Sequence, residues 1–131
     1  MRNLTEVREY KQNWPMPKNP IPIVIFGAGS IVSDAHLPAY KLSKLPVKGI
    51  YDPDYKKAKK LGQIYGIKVF KEASAAAAEK NVVFDLATPP SVHFEVIDML
   101  PKNSTVILQK PMGGDLKEAS NILSLCHQKS L

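Results

Sequence analysis

Short apolar runs recur along the chain, and each is followed by a stretch with helical spacing. Residues 21–26 read Ile-Pro-Ile-Val-Ile-Phe and stop at Gly27. Shortness, β-branched residues and the glycine stop predict a buried strand, with Pro22 at its start rather than its centre. A helical segment follows over about 31–44, and Pro38 within it predicts a break or restart. Residues 47–52 form the second strand. Asp54 caps the next helix, whose Ala58, Leu61, Gly62 and Tyr65 share one face, and Gly66 ends it. A third strand covers 67–70 and an alanine-rich helix 72–80. A fourth strand over 81–88 is stopped by Pro89 and Pro90, and Ser91 caps a helix to about Leu100. The fifth strand is 105–109. Asp115 and Glu118 make an acidic capping pair, after which Leu116, Ala119, Leu123 and Cys126 line the core face of a last helix.

The pattern alternates strand and helix with no hairpin signal. Strands apolar on both faces and separated by helices mean an α/β fold built on a doubly wound parallel sheet with right-handed crossovers. Residues 1–20 stand apart as an N-terminal arm. Pro15, Pro17 and Pro20 exclude a continuous helix or central strand there, and Tyr10 and Trp14 are candidates to dock on the domain or a partner.

Composition narrows the class. The chain has 131 residues, enough for one domain with a real core. No run of about 18 apolar residues exists, so no membrane span is expected, and the first residues carry no apolar secretory stretch. Cys126 is the single cysteine, which excludes an internal disulfide and, without a His/Cys cluster, a zinc site. No metal is expected, and the setting reads as reducing and cytoplasmic. The net charge of +6 comes from scattered lysines, densest at Lys56, Lys57, Lys59 and Lys60. With no aromatic-interleaved or helix-turn-helix pattern, this reads as a solvated face that draws anions rather than as a nucleic-acid site.

The chemistry concentrates in the turn after the first strand, Gly27-Ala28-Gly29-Ser30-Ile31-Val32. Its spacing is that of the G-x-G-x-x-G/A dinucleotide motif. Gly27 permits the tight turn, and Gly29 lets the backbone approach a pyrophosphate. The amides around Ser30 to Val32 face the anion, aided by the helix dipole. Val32 departs from the small residue usual at the third position and implies a wider helix–strand separation or a shifted pyrophosphate. Asp52, at the end of the second strand, can accept both adenosine ribose hydroxyls and repel a 2′-phosphate. NAD is therefore preferred, with Lys56 and Lys57 close enough to leave NADP open.

Three further segments are Ala35-His36-Leu37-Pro38-Ala39-Tyr40, Ala87-Thr88-Pro89-Pro90-Ser91-Val92-His93 and Gln109-Lys110-Pro111-Met112. Together with the glycine loop, over Ile21 to about Lys129, they resemble the N-terminal Rossmann domain of the glucose-fructose oxidoreductase, inositol dehydrogenase and rhizopine-catabolism family. The resemblance implies hydride transfer between NAD(P) and a sugar, cyclic polyol or related hydroxyl/carbonyl compound. It puts Thr88 and Pro89 beside the nicotinamide half and matches Lys110 to the lysine of the family's Glu-Lys-Pro signature. There an ammonium stabilises the oxygen that gains charge and can help move its proton. Gln109 stands where the family usually has glutamate and can still bond a ribose hydroxyl. Pro90 replaces a common asparagine. His36 and His93 are read as satisfying local hydrogen bonds, with His93 also counted among the cofactor-contacting residues. His127, near the chain end, is read as exposed.

The resemblance further implies a second α/β domain that carries the substrate pocket, and a homo-oligomer in the full-length protein. The chain reads as the dinucleotide half, 21–131, ending before that family's last strand. By itself it is expected to bind dinucleotide without turnover, and to associate through an uncovered sheet edge. Two other readings stay open. A non-catalytic NAD-binding sensor would need only the region from Gly27 to Asp52. A methyltransferase-like site would want an acid just before the loop, where Phe26 stands.

Overall fold

The computed structural model describes residues 15–131. Tyr10 and Trp14 of the expected arm lie outside the described residues. Residues 15–20 form neither helix nor strand and are mostly exposed.

Among the described residues five strands make one sheet, β1 (Ile23–Phe26), β2 (Val47–Tyr51), β3 (Lys68–Val69), β4 (Val83–Leu86) and β5 (Thr105–Leu108). All pairings are parallel, and the order is β3-β2-β1-β4-β5. This is the doubly wound arrangement expected from the alternating pattern. The chain runs outward in one direction through β1, β2 and β3, then returns to the other side of β1 for β4 and β5. The carboxyl tips of β1 and β4 therefore flank the point where the winding reverses, and crevices form at such points.

Each strand divides its side chains between two cores because neighbours point to opposite faces. Ile23 and Ile25 meet Val32, Leu37, Ile50, Ala58 and Leu61 on one face. Val24 and Phe26 meet Phe84, Leu86, Ile97 and Ile122 on the other. The first core is covered by α1 (Leu37–Leu42) and α2 (Tyr55–Tyr65). The second is covered by α3 (Ala73–Ala77), α4 (His93–Met99) and α5 (Leu116–Lys129). Phe26 touches Phe84 and Tyr51 edge-on, with centroids 6.2 and 5.7 Å apart. Such contacts add about 0.5–1.5 kcal/mol each beyond burial.

Several local expectations hold and others shift. The Asp54 side chain accepts from the Lys56 amide, and Gly66 closes α2 in the left-handed conformation. Asp115 accepts from the Glu118 amide, but the Glu118 carboxylate reaches back to the Gly114 amide, one residue outside the usual box. Pro38 marks the expected restart rather than an end: it sits in the first turn of α1. A π-helical turn at Val32–His36 precedes α1, and the Leu37 amide bonds Val32 O. Proline cannot donate to the preceding turn, and local widening is one way a helix accommodates that. Ser91 is no cap: it lies inside a 3-10 turn, Pro90–Val92, ahead of α4. The core stripe of α5 is also corrected. Leu116 is 83% and Leu123 48% exposed, while Ile122 and Leu125 are buried, with Ala119 and Cys126 half-buried. The sheet meets the neighbouring stripe of the helix.

Candidate dinucleotide-binding site

Three ladder bonds extend past the strand ends and gather the loops on one rim. The Gly27 amide donates to Tyr51 O, Ala87 to Phe26 O and Gln109 to Leu86 O, at 2.7, 2.8 and 3.1 Å. The close approach of β1 and β4 explains Gly27. Its φ is +109°, and a Cβ there would lie 2.4 Å from Ala87 O. Only glycine meets both conditions.

Beyond Gly27 the chain turns directly into a helix. The amides of Val32 and Ser33 both bond Gly29 O at 3.1 Å. Among the described residues no acceptor is paired with the amides of Gly29, Ser30 and Ile31. These are the orphan donors of a helix start, and they form an anion cradle. A Cβ at Gly29 would meet nothing within 4 Å, so the protein's own packing gives no reason for glycine there. A ligand brought against that backbone would. Val32 is fully buried and its amide is used internally, so it shapes the turn from beneath.

Asp52 holds this loop in place. Its Oδ2 accepts from the Ala28 amide at 2.7 Å and its Oδ1 from the Asp54 amide at 2.7 Å. A carboxylate has about four acceptor positions, so capacity remains for ribose hydroxyls.

The rim encloses a cleft of about 650 Å³. Of the residues singled out in the sequence, Gly27, Gly29, Ser30, Ile31, Asp52, Thr88 and Pro89 line it. Lys57, read from the sequence as near enough to keep NADP open, lines it too; Tyr51, Glu95 and Met99 also line it and had no sequence signal beyond their neighbours. Thr88 Oγ1 is buried with no partner, a donor and acceptor available to a bound polar group. A separate hollow of about 310 Å³ lies at the opposite end of the sheet, by Leu45, Val47 and Ile67. It gathers none of the loop residues.

The remaining candidates lie beside the cleft rather than in its lining. His93 is fully buried, with Nδ1 2.9 Å from Met112 O and Nε2 2.8 Å from Thr88 O. It ties the loop after β4 to the loop after β5 and has no free nitrogen to offer a ligand. Gln109 has its amide 2.9 Å from His36 Nε2, and its Oε1 accepts from the Lys110 amide at 3.0 Å. Lys110 is exposed at the β5 tip, next to a cis bond to Pro111, and makes no ion pair among the described residues. Sequence reasoning missed Asp85. It is completely buried in β4, with Oδ2 2.7 Å from His36 Nδ1 and 2.8 Å from Tyr40 Oη. Burial, then the charge and hydrogen bond of Asp85, push the Tyr40 hydroxyl pKa well above its usual range.

The sequence model of the GFO_IDH_MocA oxidoreductase family, NAD-binding Rossmann fold, matches residues 21–131. The chain belongs to this family. It is an NAD(P)-binding Rossmann domain of the oxidoreductase class, and the glycine cradle, Asp52 and Thr88 suit that cofactor. Solved structures share the fold. A dehydrogenase (MviM) from Clostridium difficile is 24% identical with a TM-score of 0.72, over 86% of this chain and 38% of its own. KijD10, a 3-ketoreductase from Actinomadura kijaniata crystallised with NADP and TDP-benzene, is 21% identical with a TM-score of 0.72, over 86% and 36%. The UDP-N-acetylglucosamine 3-dehydrogenase GnnA from Acidithiobacillus ferrooxidans is 19% identical with a TM-score of 0.70, over 86% and 37%. The chain thus spans little more than a third of the solved chains it matches. No curated protein matches the sequence. Among the described residues no helix is long and apolar enough to cross a membrane.

Proposed function

We propose that this chain is the dinucleotide half of an enzyme that moves hydride between NAD(P) and a hydroxyl or carbonyl carbon. The substrate is a sugar, a cyclic polyol or a sugar nucleotide held by a second domain. One observation carries the reading: three unpaired loop amides and the Asp52 carboxylate open on the same cleft at the β1–β4 crossover. Similar folds belong to a 3-ketoreductase bound to NADP and to a sugar-nucleotide 3-dehydrogenase, which supports the substrate class.

The cofactor supplies the hydride chemistry. The chain's residues do the rest. The amides of Gly29, Ser30 and Ile31 hold the diphosphate, and Asp52 holds the adenosine ribose. Thr88 and Pro89 flank the nicotinamide half. Lys110 is the catalytic residue, its ammonium bonding the substrate oxygen as charge builds there. The Asp52 carboxylate disfavours a 2′-phosphate, which makes NAD the preferred partner. Lys57, whose Nζ is 3.9 Å from Asp54 Oδ2, lines the cleft and is the cation that could soften that preference.

Calorimetric titration with NAD, NADH, NADP and NADPH tests this. NAD and NADH are expected to bind more tightly than their 2′-phosphorylated forms, and Gly29→Ala is expected to abolish the signal. Failure of all four to bind would overturn the reading.

A further inference from the structure

The buried carboxylate of Asp85 is not part of the dinucleotide cradle, yet it sits one strand away from it. It occupies the centre of the sheet, opposite Ile25, on the face covered by α1. Its Oδ1 is buried without a partner. An incompletely satisfied buried carboxylate does not help stability, and a well-packed apolar residue is often as good or better there. Its value must lie in what it orients.

The contacts around it form one directed chain. Tyr40 Oη donates to Asp85 Oδ2, as does the Nδ1–H of His36, at 2.8 and 2.7 Å. That bond fixes the proton on Nδ1 and leaves Nε2 bare as an acceptor. The next group is the side-chain amide nitrogen of Gln109, 2.9 Å from Nε2. The Gln109 orientation is set independently, because its Oε1 accepts from the Lys110 backbone amide at 3.0 Å. Every donor in the series meets an acceptor; a proton on His36 Nε2 would face the Gln109 amide donor, and turning that amide over would set its NH₂ against the Lys110 amide. A glutamate at position 109 would present an acceptor to an acceptor. Gln109 is therefore matched to His36.

We infer that Asp85 and His36 are positioning residues that act through Gln109 to set the backbone at Lys110. This deepens the proposed function, because it rests on Lys110 facing the nicotinamide half. The relay joins α1, β4 and the β5 tip, so a shift at Lys110 must break one of these bonds.

Two arms test it separately. The first uses no cofactor. Long-range ¹⁵N NMR of the histidine ring is expected to show His36 protonated on Nδ1 alone at neutral pH. His36→Asn keeps a donor toward Asp85 but removes the Nε2 acceptor. It is expected to shift the Gln109 side-chain and Lys110 backbone amide signals while the fold persists. An Nε2–H tautomer in the wild type, or unmoved Lys110 and Gln109 signals in the variant, overturns the relay. The second arm compares NADH with ADP-ribose, which lacks the nicotinamide. His36→Asn is expected to weaken NADH about tenfold and to leave ADP-ribose within about twofold. A purely structural role would weaken both alike, and that result also overturns the inference. Tyr40→Phe, which leaves the His36–Asp85 bond intact, is expected to preserve the tautomer and the NADH to ADP-ribose ratio. Wild-type protein that binds neither ligand would defeat the cofactor reading instead, and the NMR arm would still decide the relay.

Discussion

Replacing Asp52 with alanine should cost stability as well as cofactor affinity. The carboxylate bonds two backbone amides at 2.7 Å, and the two are not equivalent. Ala28 is only 7% exposed, so its amide would lose its partner where water has poor access. An unsatisfied buried donor costs about 1–3 kcal/mol. Asp54 is exposed, so its amide can turn to water, and that loss is about 0.5–1.5 kcal/mol. Together Asp52→Ala should lose roughly 2–4 kcal/mol. At a urea m-value of about 1–3 kcal/mol/M this moves the midpoint down by on the order of 1–2 M with the slope unchanged. Asp52→Asn should fall between, because an amide has one acceptor oxygen and turns its NH₂ toward the other donor. Urea unfolding followed by circular dichroism measures both, with NADH titration in parallel. A midpoint that moves by less than about 0.3 M in Asp52→Ala, with NADH binding lost, would show that the carboxylate serves the ligand alone. The loop-holding role argued from Ala28 would then be wrong.

Two glycines in the same turn should behave oppositely. Gly27→Ala places a Cβ 2.4 Å from Ala87 O at positive φ and should unfold the domain or cost more than about 3 kcal/mol. Gly29→Ala meets open space and should stay within about 1 kcal/mol of wild type in thermal melts while losing dinucleotide binding. Equal Tm losses for the two would contradict the packing argument. Glu79 bridges Lys48 and Lys68, chiefly through its Lys48 bond, and its carboxyl is held below the usual range. A lowered folded-state value gives stability that is present at neutral pH and lost as the pH falls through that value. Glu79→Gln should therefore cost under about 1 kcal/mol at pH 7, less in high salt, and nothing in acid well below pH ~4. A cost that grew toward low pH would have the wrong sign. Burial raises the pKa of the Cys126 thiol. Its alkylation by iodoacetamide at pH 7 should be slower than that of a free cysteine, and equal rates would argue against its packing.

What the sequence revealed depended on how local the cause was. Strands β1, β2 and β4 were legible because β-branched and aromatic runs ended at glycine, aspartate or proline. The parallel order followed from the alternation alone. Asp52 was placed at the rim by the strand it ends, but its bond to the Ala28 amide was not visible, because it joins groups in different loops. Helix α5 shows a second limit. Its sequence carries two overlapping apolar stripes, one through Leu116 and Leu123 and one through Ile122 and Leu125. Helical spacing alone cannot choose between neighbouring stripes; the sheet chose the second. Asp85 shows a third. A single acid in an apolar run reads as an irregularity until its partners are known. The available signal was the spacing of His36 and Tyr40, four apart and so on one helix face. Nothing local connected that pair to β4.

The rim of the sheet is fixed by side chains at both ends, and this bears on how it binds. Asp52 joins the β1 loop to the β2 tip. His93 joins the loops after β4 and β5, and His36 joins β4 to Gln109 at the β5 tip. Each bond spans a gap between loops that the ladder leaves open. The amides of Gly29, Ser30 and Ile31, by contrast, have no acceptor among the described residues. A loop whose flanks are tied and whose donors are unpaired loses little freedom when an anion arrives. Less ordering cost means a larger share of the contact energy remains as affinity. The same logic explains why polar residues are tolerated so deep in this sheet. Asp85 and His93 are the only buried polar or charged residues among those described, and both hold the rim. They are placed where a shift of the loops would misplace the donors, so the cost of burying them is offset by the geometry they fix.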